Sequence, residues 1–186
     1  MKKLIVFIIG FFVIYGCTLS LNSCKPKEKI GKVKNSQKKK DIVSIYHELQ
    51  ERVAEGKVSR EGDKVKLILP EAMLFEVYST EVNSEYLPTL TKIAKIVNKY
   101  PETSILIMGY TDTTGSAELN NKLSWGRSEN VKDALINNGI KNKRLYTWGF
   151  GSRNPIADNT TVEGRKQNRR VEFVILYDYQ DSKNKK

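Results

Sequence analysis

Residues 105–140 read ILIMGYTDTTGSAELNNKLSWGRSENVKDALINNGI and decide the fold of the chain. The apolar, β-branched run at 103–108 predicts a buried strand that stops at Gly109. From about Ser116 to Asn137, apolar residues recur at helical spacing, and Gly139 is the expected C-terminal stop. The predicted apolar stripe of this helix consists of Leu119, Leu123, Val131, Ala134 and Leu135. A buried strand, a polar loop and an amphipathic helix therefore follow one another.

Comparable segments lie on both sides of this unit. Upstream, Asp41 is expected to cap a short helix that ends near Gly56. The other predicted segments are strands at 64–69, 144–148 and 171–177, an extended segment at 71–78, a helix at 86–97, and a loop at 149–168. The βαβαβ order predicts an α/β sandwich with helices packed on one mixed sheet. We expect this domain at 61–178, after an N-terminal helix and lead-in at 41–60.

The N-terminus has the pattern of an export signal. Two lysines precede an apolar run at 4–15, which is short for a membrane span and typical of a secretory signal. Leu21-Asn22-Ser23-Cys24 is similar to the lipobox of bacterial lipoproteins, with an atypical Asn at the second position. This predicts a signal peptide at 1–23 and lipidation of Cys24. Cys17 is a competing site, and an uncleaved anchor or a soluble secreted form remain the alternatives.

The charge of the chain lies outside the predicted domain. The net charge is +11, but residues 1–40 hold ten Lys and one Glu, while residues 41–180 hold 19 basic and 19 acidic groups. A nucleic-acid-binding domain needs a basic face, so we do not expect nucleic acid as a partner. The Lys-rich segment 24–40 predicts a self-repelling linker without secondary structure, and 179–186 a polar tail.

Residue types also limit the chemistry. The two cysteines lie near the N-terminus, and His47 is the only histidine. Zinc hydrolysis and Ser-His-Asp catalysis therefore lack the residues they need. No metal-ligand set or paired acid and base is apparent, so we expect neither a cofactor nor enzymatic activity.

An ordered series of short motifs identifies the family. The series is Gly109-Tyr110-Thr111-Asp112, Gly115, Asn120, Leu123-Ser124-x-x-Arg127, Gly149-x-Gly151, Pro155, Asn159-x-Thr161, Gly164-Arg165 and Asn168-Arg169-Arg170-Val171-Glu172. Residues 64–177 resemble the OmpA-like domain, the peptidoglycan-binding module of porin-type proteins, Pal-type lipoproteins and MotB-type stator subunits. The chain departs from the family at Tyr110, where His is common. We place Tyr110 at the rim of the expected pocket.

The resemblance implies a binding site for diaminopimelate, the diamino acid of the peptidoglycan stem peptide. Asp112 and Arg127 match the positions that hold it, and Thr111, Asn120 and Arg169 match positions that assist. An anion and a guanidinium fork suit its free ammonium and carboxylate groups. Asn120, Ser124 and Arg127 recur at i, i+4 and i+7, on one helix face.

The residue types alone also allow structural roles. Asp112 could cap a helix and Arg127 could be a solvated surface cation. Arg170 is expected to belong to an ion-paired loop that fixes the last strand, and Arg169 could have the same role.

The function that follows is a non-catalytic anchor. Its partners would be peptidoglycan, through diaminopimelate, and the lipid of the outer membrane, with the domain in the periplasm. The alternative is a Pal-type adaptor in an envelope complex, whose main ligand is a protein partner.

Overall fold

The computed structural model describes the backbone of residues 27–179 and the side chains of residues 34–179. Its helices are α1 (Lys27–Arg52), α2 (Glu71–Leu74), α3 (Leu87–Asn98), α4 (Ala117–Asn137) and α5 (Val162–Asn168). Its strands are β1 (Lys57–Glu61), β2 (Lys64–Pro70), β3 (Ser104–Tyr110), β4 (Leu145–Gly149) and β5 (Arg170–Leu176). The predicted signal peptide, Cys17, Cys24 and residues 180–186 of the predicted tail lie outside the described residues.

The five strands form one mixed sheet in the order β1-β2-β5-β3-β4. β3 and β4 are parallel, whereas the other three pairings are antiparallel. The last strand in sequence therefore lies in the middle of the sheet, and Arg170–Ile175 are all buried. This arrangement confirms the predicted fold class, with α4 as the crossover between two parallel strands.

Helices α1, α3 and α4 form a single layer, since α3 contacts both of the others and α1 and α4 contact the sheet. The predicted helical stripes supply most of this packing. The core between helices and sheet includes Ile42, Ile45, Leu49, Leu67, Leu69, Leu90, Ile93, Val97, Ile105, Ile107, Val131, Leu135 and Phe173. The apolar periodicity of the sequence thus locates the core.

Residues 27–40 of the Lys-rich segment are helical and not a coil, contrary to the sequence-based prediction. Helix α1 begins at Lys27, and Asp41 lies inside it rather than at its cap. Asp41 instead accepts hydrogen bonds from Gln37 and from the hydroxyl of Tyr177, at 2.7 and 2.6 Å. Residues 42–53 pack on the core and so fix the C-terminal turns of the helix. Because lysine favours the helical state, the helix continues from these turns toward the N-terminus.

Two further local predictions are wrong, and one strand was not predicted. Strand β1 was not predicted, because KVSRE is a polar edge strand without an apolar pattern. The predicted extended segment 71–78 begins with the single turn α2. The predicted loop 149–168 contains α5, which Thr161 caps by accepting a hydrogen bond from the Gly164 N–H at 3.0 Å. Each of these elements is short or polar, so periodicity cannot detect it.

Candidate functional site

A cavity of about 380 Å³ lies where β3 ends and α4 begins. Its wall includes all five predicted site residues, which are Thr111, Asp112, Asn120, Arg127 and Arg169. Helix α2 and the segment after it, with Glu71, Phe75, Val77 and Tyr78, close the other side. The structure therefore brings together residues that are 58 positions apart in the sequence, from Thr111 to Arg169.

The loop after β3 holds Asp112 in one orientation. Its Oδ1 accepts hydrogen bonds from the backbone N–H of Thr114, at 2.8 Å, and from the Thr114 hydroxyl. The Asp112 carbonyl accepts from the Thr111 hydroxyl, at 2.9 Å, and from Asn120 Nδ2, at 3.3 Å. Asn120 also donates to the Thr114 carbonyl at 2.9 Å. Thr111 and Asn120 thus fix the loop that carries the carboxylate.

Asp112 remains ionised although it is only 4% exposed. Burial by itself would raise its pKa, but hydrogen bonds from Thr114 and Arg169 outweigh burial and hold the pKa below its ordinary value. The side chain is therefore an anion at neutral pH and can accept a further hydrogen bond from a cation.

Helix α4 places Arg127 at the opposite wall. Asn120, Ser124 and Arg127 share the buried face of the helix, as their spacing predicts. The Arg127 Nε donates to the carbonyl of Ser79 at 2.9 Å, and the guanidinium lies 5.2 Å from the centre of the Phe75 ring. Arg127 is 3% exposed and is not a solvated surface cation. Burial lowers its pKa, and Glu71 opposes this shift.

Glu71 is a member of the site that sequence reasoning missed. One of its carboxylate oxygens lies 2.5 Å from Arg127 Nη2 and the other lies 3.2 Å from Arg169 Nε. Arg169 Nη1 in turn donates to Asp112 Oδ2 at 2.6 Å. The four side chains form a row of alternating charge, in the order Arg127, Glu71, Arg169, Asp112, with a net charge of zero. The signal in the sequence that could have indicated its position is an acidic residue directly after Pro70, where α2 begins.

Asp112 and Arg127 do not touch each other but face one concavity. Among the described residues, Arg127 Nη1 makes no hydrogen bond, since Nε and Nη2 make the contacts of this side chain. Within the same part of the chain, Asp112 Oδ2 accepts a hydrogen bond from Arg169 alone. Because guanidinium nitrogens and carboxylate oxygens can each make several hydrogen bonds, both groups retain capacity for a ligand. The cluster can thus accept an ammonium at one end and a carboxylate at the other.

Arg170 stabilises the last strand, as predicted. Its Nε donates to Glu172 at 2.7 Å, and its two other nitrogens donate to the carbonyls of Asn168 and Asn154. The guanidinium also lies 3.8 Å from the centre of the Tyr110 ring. Arg170 is therefore a structural residue behind the site.

The prediction that Tyr110 lies at the pocket rim is wrong. Tyr110 is 6% exposed and does not line the cavity. Its ring stacks on Phe150 at 5.1 Å and is covered by Arg170 on the strand-β5 side. The flat Tyr110 ring lies between the Phe150 ring and the Arg170 guanidinium. It thus supports the loop after β3 on the side away from the cavity.

Tyr110 also makes a pH-dependent contribution to stability. Burial, with help from Glu172, raises its pKa to about 12, so the folded state retains the phenolic proton that the unfolded chain loses near pH 10. This contribution is complete below pH 10 and is lost between pH 10 and 12, by up to about 2–3 kcal/mol. The free energy of unfolding of Tyr110→Phe should therefore decrease less between pH 10 and 12 than that of the unmodified protein. Urea unfolding at pH 8, 10 and 12 measures this difference. If the free energy of unfolding fell equally with pH in both proteins, Tyr110 would not be the source of the decrease.

Two kinds of site are absent from the described part of the chain, a metal-binding cluster and a membrane-spanning helix. Residues 34–179 contain no group of three or more His, Cys, Asp or Glu side chains that could hold a metal ion. Among the helices of this part, none combines the length and the apolar content needed to cross a bilayer.

Comparison with known proteins identifies the fold and the family. Residues 74–169 match the sequence pattern of the OmpA family. "Probable lipoprotein YiaD" from Escherichia coli K12 is 39% identical over 140 residues, which cover 72% of this chain and 64% of that protein. "Peptidoglycan-binding protein ArfA" from Mycobacterium tuberculosis is 44% identical over 86 residues, 46% of this chain and 26% of that protein. The chain thus spans less than two thirds of the length of either relative.

Solved structures agree with this result. The cell wall anchor of the T6SS from Pseudomonas aeruginosa superimposes with a TM-score of 0.66 at 28% identity, over 72% of this chain and 97% of that one. From the motif series, the mixed sheet and these matches, we conclude that the chain belongs to the OmpA family.

Proposed function

We propose that the protein binds peptidoglycan without catalysis, through the free ammonium and carboxylate groups of diaminopimelate, and anchors the outer membrane to the cell wall. The observation that carries the proposal is the neutral row of four alternating charges in one cavity. A zwitterion adds no net charge to such a row, whereas a simple anion or cation would leave one charge unbalanced. The relatives named for peptidoglycan binding and cell wall anchoring support peptidoglycan as the ligand.

Each predicted residue has a role in this proposal. Asp112 Oδ2 accepts a hydrogen bond from the ligand ammonium, and Arg127 Nη1 donates a hydrogen bond to the ligand carboxylate. Arg169, with a side chain that is 35% exposed, stands between them and can donate to the same carboxylate. Thr111 and Asn120 keep the Asp112 loop in place.

Single sites of this kind bind weakly. Each charge-assisted hydrogen bond contributes about 1.5–3 kcal/mol, which corresponds to micromolar to millimolar affinity for a few such bonds. Firm attachment then depends on the polymer, which presents many ligands, and on the tether, which keeps the domain near the wall.

The tether would combine a lipid with a helix. Cys24, the proposed lipidated residue, lies three positions before the start of α1. The helix has 26 residues and is therefore about 39 Å long at 1.5 Å per residue. Lys38 on this helix pairs with Asp178 and lies over the ring of Tyr177, so the docked part of α1 is fixed to the end of β5. We propose that the part of α1 before the docked residues separates the outer membrane from the periplasmic domain.

Co-sedimentation with isolated cell walls tests the wall-binding part of this proposal. We expect the Cys24→Ser chain, which cannot be lipidated at that position, to sediment with walls that contain diaminopimelate and to remain in the supernatant with walls that contain lysine instead. The reason is that lysine has an ammonium but lacks the second carboxylate that Arg127 needs. Equal retention on both walls would contradict the diaminopimelate assignment, and retention on neither would favour the adaptor function, with a protein as the main ligand.

A further inference from the structure

Three apolar side chains stand at the mouth of the charged cavity. Val77, Tyr78 and Leu119 line it, yet they are 80%, 76% and 39% exposed. Leu119 was expected in the buried stripe of α4, but it points to the cavity instead of the core. The cavity thus has a charged floor, formed by the four-residue row, and an apolar rim, formed by these three residues.

Tyr78 has an unusual backbone for its residue type. Its φ is 60°, in the left-handed region that glycine and asparagine adopt more readily than tyrosine. Within residues 34–179, no hydrogen bond or ring contact involves its side chain. The ring itself therefore gains nothing from the described chain, and a strained residue whose side chain lies exposed at the edge of a binding cavity indicates a role in ligand contact.

The segment that carries Tyr78 is held firmly. The Ser79 N–H donates to the Glu76 carbonyl at 3.0 Å, which closes a turn around Val77 and Tyr78. Helix α4 holds the next residues, since Arg127 donates to the Ser79 carbonyl and Asn130 donates to the Thr80 carbonyl, at 2.9 and 2.6 Å. The floor and the rim are therefore joined through Arg127, and the rim is a preformed part of the site.

The position of the rim determines which part of a ligand it can meet. Rim side chains as exposed to solvent as Val77 and Tyr78 contact whatever extends from the bound group, not the bound group itself. In a stem peptide, the residue joined to diaminopimelate on its C-terminal side is alanine. The sugar chain is further away, because at least two amino acids, about 7 Å of extended chain, intervene.

We infer that the rim of Val77, Tyr78 and Leu119 contacts the alanine that follows diaminopimelate, so that the domain binds the stem tetrapeptide more tightly than free diaminopimelate. This inference rests on the proposed function and adds a specificity-determining surface to it. An apolar rim suits the alanine methyl group, whose burial should improve affinity about fourfold.

Calorimetric titration of the full chain in detergent tests the inference, with free diaminopimelate and with the stem tetrapeptide as ligands. Tyr78→Asn removes the ring and keeps a residue that tolerates the left-handed backbone. We expect it to lower the affinity for the tetrapeptide by about threefold to fourfold and to leave the affinity for free diaminopimelate within twofold. A tetrapeptide with glycine in place of the alanine should bind the unmodified chain about fourfold less tightly. Tyr78→Asn should lower the affinity for this glycine peptide less than it lowers the affinity for the alanine peptide.

Trp125→Gln is the matched control, because Trp125 is also an exposed aromatic residue, at 50%, but lies outside the cavity wall. Unchanged tetrapeptide binding in Tyr78→Asn, or an equal loss for both ligands, would overturn the inference while leaving the proposed function standing. Failure of the unmodified chain to bind either ligand would instead overturn the proposed function.

Discussion

Asp112→Asn should lower the affinity for diaminopimelate-containing stem peptide by about 10- to 100-fold. The substitution removes the anion that we assign to the ligand ammonium, and one charge-assisted hydrogen bond contributes about 1.5–3 kcal/mol. The side-chain oxygen of asparagine can still accept from Thr114, so the loop after β3 should keep its shape. Calorimetric titration of the two proteins gives the ratio of dissociation constants.

Asp158→Asn is a close control for this change. Asp158 accepts hydrogen bonds from the N–H and the hydroxyl of Thr160, at 2.9 and 2.7 Å, just as Asp112 does from Thr114. It is exposed and lies outside the cavity, so its loss should leave peptide affinity unchanged. Equal affinities of Asp112→Asn and Asp158→Asn would show that the charge of Asp112 does not contact the ligand.

Glu71→Ala should destabilise the fold by about 3–5 kcal/mol. Glu71 is the counterion of Arg127, and both side chains are buried, at 9% and 4% exposure. Removing one partner of a buried ion pair leaves the other charge without compensation, which is the costly case. Arg127 would keep its hydrogen bond to Ser79 and its contact with Phe75, but these do not neutralise its charge. Urea unfolding at pH 7 measures the loss.

Glu76→Ala separates this effect from a general loss of acidic charge. Glu76 follows α2 by two residues and its side chain is exposed, so the change should stay within about 0.5 kcal/mol. If Glu71→Ala were as mild as Glu76→Ala, the ion pair with Arg127 would not be a structural part of the site.

The sequence predicted the parts of the fold that bury an apolar face. β3 and α4 match their predicted ranges closely, because a β-branched run and a stripe at helical spacing are direct consequences of burial. The site loop and the helix face of Arg127 follow from them, since Asp112 comes directly after the strand and Arg127 lies seven residues after Asn120. Position along an amphipathic helix thus predicted which polar residues turn inward.

Elements that depend on long-range contacts could not be predicted in this way. The polar strand β1 exists because it pairs with β2, not because it buries apolar residues. Helix α1 extends to Lys27 from a docked C-terminal half, and lysines alone resemble a linker. Glu71 entered the site because α2 turns it toward Arg127 and Arg169, two residues far away in the sequence. Tertiary contacts, rather than local pattern, decide these cases.

The most direct test is the structure of the domain with a stem peptide that contains diaminopimelate. We predict that the free ammonium lies within hydrogen-bond distance of Asp112 Oδ2 and that the free carboxylate lies on Arg127, with Arg169 between them. A peptide bound elsewhere on the domain, or one whose free ammonium and carboxylate face solvent while Asp112 and Arg127 keep only their present partners, would contradict the proposed site.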